Sequence, residues 1–170
     1  MNKKSRIYLC GAMEGTTDHG QGWREEVIGR IERDFAQTLQ AHNPKVLGLD
    51  DLTPKERFAE ARQRTPKFLD MMRSGIEDDL NVIAMESDFV LAYTDENFER
   101  SAGSNAEITW AFMANVPVLG VLAPGTDLSN VRAWANACYY RIFESFSDAL
   151  SFAYFWSVQE DTLSYGRQPA

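Results

Sequence analysis

Short apolar segments alternate along the chain with longer stretches in which apolar residues recur every three or four positions. The first apolar segment, residues 7–13, is β-prone at its start and contains a glycine, which is typical of a buried parallel strand. From Trp23 to Phe35 apolar residues follow at intervals of four, which predicts a helix. A second short strand is predicted at residues 46–49.

The same alternation continues to the end of the chain. Ile76, Leu80 and Ile83 predict one apolar face of a helix, and Asn115 is expected to end a later one. The further predicted elements are a helix at 67–86, a strand at 89–93, a helix at 106–114, a strand at 116–122, a helix at 128–137, a strand at 140–143 and a helix at 147–160.

This order of elements predicts an α/β fold. We expect a single doubly wound domain, Rossmann-like or flavodoxin-like, over residues 1–170, with a central parallel sheet of about five strands flanked by helices. Residues 50–66 are polar and irregular and are interpreted as a lid or as a tolerated surface insertion. Residues 161–170 are expected to be a frayed tail. Sites in such sheets lie at the carboxyl ends of the strands, so the loops after Leu9, Tyr93 and Leu122 are the ones to inspect.

Composition and charge narrow the range of partners. The net charge of −8 argues against a nucleic-acid-binding protein, but it is compatible with a small phosphorylated ligand in a locally positive pocket. Cys10 and Cys138 belong to no Cys or Cys/His cluster, so two reduced thiols and no metal site are expected. No apolar run is long enough to span a membrane, and no signal peptide is recognisable. We therefore expect a cytoplasmic protein without a membrane partner.

The loop before the helix at 106–114 carries small and polar residues. Ser104 or Asn105 is a candidate N-cap, and free amides at a helix start favour an anion. The alternative is an ordinary capped helix. Glu107 follows directly, and it is interpreted either as a partner of the helix dipole or as a carboxylate that faces the cleft and acts as a nucleophile. The sequence patterns GxGxxG and GxxxxGK[ST] are absent, so a dinucleotide or NTP site is not supported.

A second carboxylate and a tyrosine are further candidates. Asp79 borders the apolar face of its helix and either belongs to a solvated charged face or leans inward toward a ligand hydroxyl or Glu107. Tyr8 lies in the first strand and is either a satisfied core residue or a hydroxyl beside the carboxylates. Gly11 allows the backbone or a ligand to approach closely.

The connection after the first strand carries an aromatic and a cationic candidate. Trp23 is either the first core residue of the helix or a surface on which a flat ring stacks, and Arg24 is a candidate for binding a phosphate or carboxylate. His19 and His42 are far apart in the chain, so a His-based triad is weakly supported.

Several of these segments, in this order, resemble the nucleoside 2-deoxyribosyltransferase family. They are Ile7-Tyr8-Leu9-Cys10-Gly11-Ala12-Met13, the helix of Asp79, the strand at 89–93, Gly103-Ser104-Asn105-Ala106-Glu107 and Val116-Pro117-Val118, and together they span residues 7–122. The family has an IYLAGP-like opening strand and a later D-x-G-T-x-x-E turn.

The resemblance implies cleavage of the N-glycosidic bond of a nucleoside or its 5′-monophosphate, with transfer of the sugar to another base or to water. It implies that Glu107 is the nucleophile, that Asp79 contacts the sugar or assists the departing base, and that Tyr8 orients Glu107. No cofactor is implied. The substrate-binding set that follows contains Gly11, Met13, Trp23, Arg24, Ser101, Gly103, Ser104 and Asn105.

Ser101 stands where the transferases of the family carry Asp, and this serine resembles the branch that hydrolyses 2′-deoxynucleoside 5′-monophosphates. The resemblance therefore implies a phosphate contact from Ser101. Two other functions remain open: a module that binds nucleotide derivatives without turning them over, and a glycohydrolase acting on NAD. The family also implies a homodimer or higher homo-oligomer, and the aromatic residues between Tyr139 and Trp156 suit a subunit interface.

Overall fold

A single sheet of five parallel strands forms the centre of the protein. The computed structural model describes residues 3–13, 16–44 and 64–160. The strands are β1 Ser5–Gly11, β2 Leu39–His42, β3 Phe89–Thr94, β4 Val118–Leu122 and β5 Arg141–Phe143. They lie in the order β2-β1-β3-β4-β5, which confirms the predicted doubly wound α/β fold.

Helices cover both faces of this sheet. The helices are α1 Gln21–Arg30, α2 Pro66–Asn81, α3 Ala102–Met113, α4 Ala133–Cys138 and α5 Phe146–Glu160. Helices α1 and α2 continue into one turn of π-helix, at Ile31–Phe35 and Val82–Glu86 respectively. Buried residues of α1 and α5 form one core with alternate positions of the strands, and buried residues of α3 and α4 and of the π-turn after α2 form the other.

The strand order reverses between β1 and the central strand β3. Tyr8 of β1 pairs in register with His42 of β2 on one side and with Val90 of β3 on the other. The chain passes from β2 across β1 to β3, and ligand sites in such sheets lie at the carboxyl ends of the two strands at this point. The loops after these two strands are the ones that the sequence pattern singles out.

The second strand is not where the apolar pattern indicates. Residues 46–49 lie outside the described residues, and the strand that pairs with β1 is Leu39–His42. Only Leu39 of this strand is fully buried, because β2 is the edge of the sheet. An edge strand with one buried residue has no apolar run to reveal it. The segments interpreted as a lid and as a frayed tail also lie mostly outside the described residues.

Helix α3 begins four residues earlier than predicted. Ser101 is its N-cap, since the Ser101 hydroxyl accepts a hydrogen bond from the Ser104 amide at 3.3 Å, so neither Ser104 nor Asn105 is the cap. Glu107 is consequently in the second turn of the helix rather than the first. The predicted end is confirmed: Asn115 has a φ of 57°, a left-handed conformation that asparagine tolerates beyond a helix terminus.

The apolar face predicted for α2 is wrong at its first residue. Ile76 is 55% exposed, while Gly75 beside it is buried, and Ile83 is fully buried. The π-turn at Val82–Glu86 adds a residue to the helical turn and rotates the positions that follow it. Counting back from Ile83 with the period of a regular α-helix therefore places Ile76 on the buried face, although it is exposed.

The aromatic residues near the C-terminus belong mainly to the core. Phe143 is buried, and Phe146, Phe152, Tyr154 and Trp156 pack against the core on the α1–α5 side of the sheet. In this segment the exposed aromatic residues are Tyr140 and Phe155. The density of aromatic residues thus reflects coverage of the sheet by α5. Among the described residues, no helix combines the length and apolar character needed to cross a bilayer.

Candidate active site

Strand β1 brings a tyrosine and a cysteine to the same face of the sheet. Tyr8 and Cys10 are two residues apart, so their side chains point the same way, toward the core beneath α3. Both side chains are fully buried. Gly11 then ends the strand at the crevice. The alternation of a β-strand therefore places two polar atoms, the Tyr8 hydroxyl and the Cys10 thiol, next to the helix that carries Glu107.

The N-terminal turn of α3 is held by hydrogen bonds that fix where Glu107 points. The Asn105 side-chain amide donates to the carbonyl oxygens of Phe98 and Ser101, at 3.1 and 2.8 Å. The Ser101 hydroxyl also lies 2.8 Å from the Ser104 hydroxyl. These hydrogen bonds fix the loop after β3 against the first turn of α3. Glu107 follows in the second turn, so its backbone is held in place.

Asp79 comes to the site from a different helix, α2. The Trp110 indole NH of α3 donates to the Leu80 carbonyl oxygen of α2 at 3.0 Å, which joins the two helices beside Asp79. Asp79 and Glu107 are each partly buried. Asp78, its neighbour in the chain, is exposed, as expected from a helix that turns one carboxylate inward and the next outward.

The two carboxylates share a poorly solvated environment. Burial raises the pKa of Glu107 to about 6, and the negative charge of Asp79 adds to this, while the neighbouring Cys10 and Tyr8 side chains and the charge of Arg24 lower it. Burial likewise raises the pKa of Asp79 to about 6, against opposing effects of Tyr8 and Arg24. A carboxylate with a pKa near 6 changes its charge close to neutral pH, which is suited to acid–base or nucleophilic work.

Tyr8 interacts with both carboxylates. Burial raises the pKa of its phenol far above the usual range, and the charges of Glu107 and Asp79 raise it further. Among the described residues, no group meets full hydrogen-bond geometry with the buried Tyr8 oxygen. The hydroxyl therefore stays protonated and remains available to donate a hydrogen bond to a carboxylate or a ligand oxygen.

Cys10 is a member of this cluster that sequence reasoning missed. Its thiol donates to the Ser104 carbonyl oxygen at 3.6 Å, and burial followed by the charge of Glu107 raises its pKa well above the usual range. The thiol is thus a neutral donor rather than a nucleophile. The signal was present in the sequence, because Cys10 is two positions from Tyr8 in a strand.

His42 is a second neighbour of Tyr8 that the sequence did not reveal. The two rings stack with centroids 5.6 Å apart and planes inclined by 15°. His42 and Tyr8 are paired across strands β2 and β1. Separation in the chain hid this contact, because only the parallel pairing of the strands brings the two residues together.

Gly11 and Trp23 are in direct contact. A Cβ atom on Gly11 would lie 2.7 Å from Cζ2 of the Trp23 indole. The indole is partly buried and packs beside Tyr93 and Phe146, with ring centroids 5.2 and 6.1 Å away. This geometry favours the interpretation of Trp23 as a core residue and accounts for Gly11 by close approach of the indole.

Arg24 is also inward. Its side chain is fully buried, and its terminal nitrogens donate to the carbonyl oxygens of Gly20 and Gly11 at 2.8 and 2.9 Å. Both terminal nitrogens thus already have main-chain partners, which disfavours the predicted contact with a substrate phosphate. Met13 is partly buried just beyond β1.

The start of α3 has residues that a ligand can reach. Gly103 is exposed, and a Cβ atom placed on it would meet nothing within 4 Å. Ser101 is partly exposed, whereas Ser104 is buried. Ser101 and Gly103 are therefore the accessible members of this loop, while Ser104 and Asn105 are occupied in holding its shape.

The structure thus gathers Tyr8, Asp79 and Glu107, from three separate elements, at the carboxyl edge of the sheet. In the described part of the chain, no three His, Cys, Asp or Glu side chains are grouped to hold a metal ion. Two partly buried carboxylates with a protonated phenol can stabilise a developing positive charge and form a covalent bond to an electrophilic carbon.

The chain was compared with protein-family models, with curated proteins and with solved structures. No protein-family model matches the chain, and no curated protein matches it in sequence. Among solved structures, a CMP N-glycosidase of Clostridium botulinum, BcmB, is similar with 16% identity and a TM-score of 0.45, over 88% of this chain and 98% of that one.

Proposed function

We propose that the protein cleaves the N-glycosidic bond of a 2′-deoxynucleoside or its 5′-monophosphate, and that Glu107 is the nucleophile. The observation that carries this proposal is the Glu107–Asp79 pair, partly buried beside Tyr8 at the carboxyl edge of β1 and β3, with both pKa values raised to about 6. The motifs that resemble the nucleoside 2-deoxyribosyltransferase family point to the same three residues.

In the first step, a Glu107 carboxylate oxygen attacks C1′ of the sugar. The C1′–N bond breaks with its electron pair moving to the base, and protonated Asp79 supplies the proton that the departing base takes up. The transition state carries positive charge on the sugar, which the carboxylate stabilises electrostatically. The product is a glycosyl ester of Glu107 and a free base.

In the second step, water or an acceptor base attacks C1′ and the ester bond to Glu107 breaks, which restores the carboxylate. The ionised Asp79 is placed to accept the proton that water loses. The Tyr8 hydroxyl donates a hydrogen bond to the Glu107 carboxylate before the attack and again after the ester bond breaks, and so fixes the direction of the carboxylate. Every bond change involves the substrate and residues of this chain, without a cofactor.

The 5′-monophosphate is the substrate form that Ser101 favours. This residue lies at the start of α3 and is partly exposed, and the nearby Gly103 is exposed with open space around it. An uncharged hydroxyl at this position accepts a phosphate that an aspartate would repel. The protein is otherwise acidic, with a net charge of −8, so discrimination for phosphate depends on such local donors.

The test is a panel of nucleosides and their 5′-monophosphates, with and without a free acceptor base, in which released base and exchanged nucleoside are measured by chromatography. Release of base from the monophosphates alone supports the hydrolase. Exchange with the acceptor supports the transferase. Binding of nucleotides by calorimetry with no released base under any condition would contradict the catalytic proposal and favour a binding module.

A homo-oligomer is part of the same proposal. The layer formed by α2, α3 and α4 exposes several large apolar side chains, which is unusual for a free surface. They are Ile76, Trp110, Phe112, Met113 and Trp134, exposed by 40 to 68%. Sedimentation at micromolar concentration should therefore show a dimer or larger species, and Phe112→Glu should shift it toward monomer. A wild-type monomer would contradict this part.

A further inference from the structure

The cation that acts electrostatically on both proposed catalytic carboxylates is a buried arginine whose two terminal nitrogens already have main-chain partners. Arg24 is the largest fully buried side chain of the described residues. Its guanidinium carbon lies 4.4 Å above the Trp23 ring, and its terminal nitrogens donate to the Gly20 and Gly11 carbonyl oxygens. It thus links the end of β1 to the loop that leads into α1.

The space around this guanidinium is tight. Gly20 has a φ of 68°, and a Cβ atom added to it would lie 2.5 Å from both Arg24 Nη1 and the Ala12 carbonyl oxygen. Only glycine fits there, because it adopts the left-handed conformation and leaves room for the guanidinium. The loop is therefore shaped around Arg24, which indicates that the inward position of the side chain is built into the fold.

A buried cation requires negative charge nearby, since desolvation of an uncompensated guanidinium is costly. Within the described residues Arg24 makes no direct ion pair, and no group there bonds its Nε. Burial lowers the pKa of Arg24, while Cys10, Glu107, Tyr8 and Asp18 act in the opposite direction. Arg24 in turn lowers the pKa of Glu107 and of Asp79.

We infer that Arg24 is a positioning residue for the carboxylate pair: its guanidinium holds the end of β1 in place through Gly11 and supplies positive charge that offsets the charge of the carboxylates. The groups that face Glu107 are Tyr8 and Cys10 from β1, Asp79 from α2 and Arg24 from α1. Arg24 is the one cation in this set. The inference rests on the proposed function only in taking Glu107 as the nucleophile.

The experiment compares Arg24→Met and Arg24→Lys with Arg30→Met, in folded protein without substrate. Arg30 lies on the same helix but is partly exposed and paired with Glu26, so it controls for loss of one positive charge from α1. The titration of Asp79 and Glu107 is followed by carbon NMR of the carboxyl groups. Arg24→Met should move these titrations upward by about 1 pH unit, and Arg30→Met should leave them within about 0.2 unit.

A second readout separates this role from a phosphate contact. If Arg24 positions the carboxylates, Arg24→Lys lowers kcat for nucleosides and monophosphates alike, because lysine keeps the charge but cannot bridge both carbonyl oxygens. A phosphate ligand would instead raise KM for monophosphates selectively, and that result overturns the inference. So does a folded Arg24→Met variant with unchanged titrations.

If Arg24→Met does not fold, Arg24→Lys alone decides. In that case unchanged kcat together with unchanged carboxyl titrations overturns the inference, and reduced kcat for both substrate types supports it. The titrations need no turnover. A wild-type protein that releases no base would thus contradict the proposed function while leaving the coupling of Arg24 to the carboxylates measurable.

Discussion

The Cys10 thiol lies 3.6 Å from the main-chain carbonyl oxygen of Ser104, to which it donates a weak hydrogen bond. This contact joins strand β1 to helix α3, three residues before Glu107. The proposed nucleophile is therefore set relative to Tyr8 by two packed elements rather than by a loop. A site on packed helices and strands keeps its backbone geometry when one side chain, such as Glu107 or Asp79, is changed. A loss of activity in such a variant therefore reports on the side chain itself.

Replacement of Glu107 by glutamine should lower kcat by about 10³-fold or more, because the amide keeps the shape of the side chain but cannot form the glycosyl ester. KM should change little. Base release is measured by chromatography at saturating substrate, and circular dichroism checks the fold. Glu144→Gln removes an exposed carboxylate just after β5 and serves as the control. Near-normal turnover by Glu107→Gln would identify another nucleophile.

The pH dependence of kcat/KM should show an acid limb near pH 6. The pKa of Glu107 is raised to about 6, so the attacking carboxylate is lost below that pH, and kcat/KM should fall about tenfold per pH unit there. Protonated Asp79 is lost above its pKa of about 6, which adds an alkaline decline. The two apparent values belong to the pair. A flat profile from pH 5 to 8 would contradict both roles.

Replacement of Asp79 by asparagine should stabilise the fold at pH 7 and not at pH 4. The folded-state pKa of Asp79, about 6, lies above its ordinary value of 3.8, so the folded state binds more protons in this window. Its burial therefore costs stability as the pH rises through about 4 to 6, and the cost is absent below 4. We expect a gain of about 1–2 kcal/mol at pH 7 after allowance for solvent screening.

The matched control for this stability experiment is Asp78→Asn, which changes the exposed neighbour on the same helix. Thermal or urea unfolding of both variants is measured at pH 7 and pH 4. Equal gains at pH 7 for the two variants would show that the effect is one of net charge and not of the inward position of Asp79.

Replacement of Ser101 by aspartate should abolish a preference for 5′-monophosphates. Aspartate caps a helix as well as serine does, so α3 should remain intact while its carboxylate repels phosphate. We expect kcat/KM for the monophosphate to fall by at least about tenfold, with that for the nucleoside changed much less. Ser101→Ala removes the N-cap without adding a charge, so it shows how much activity is lost when the start of α3 is merely destabilised. Equal losses on both substrates would argue against a phosphate contact.

Replacement of Gly11 by alanine should destabilise the protein by about 1–3 kcal/mol, because the new methyl group would lie 2.7 Å from the Trp23 indole. Tryptophan fluorescence should change as the indole is displaced. Gly103→Ala is the stability control: that glycine is helical, and a Cβ there meets nothing within 4 Å, so a neutral or slightly stabilising effect is expected. Similar losses in the two variants would contradict the packing argument.

The alternation of apolar segments and amphipathic stretches was sufficient to predict the fold class. Strands β1, β3 and β4 are mostly buried and appear in the sequence as apolar runs, so the sequence predicts each of them to within two residues at both ends. The edge strand β2 was missed, because an edge strand buries too little to leave an apolar signal. The start of α3 was misplaced because Ser101 caps it from outside the apolar pattern.

The sequence by itself determined the doubly wound architecture and the candidate residues Tyr8, Asp79 and Glu107, because burial periodicity and local motifs are properties of neighbours along the chain. Tertiary structure alone decided which way the remaining candidates face. Arg24 points into the core and Asn105 closes its own loop. These orientations depend on close packing between elements distant in the chain, and so does the shared desolvation that raises both carboxylate pKa values.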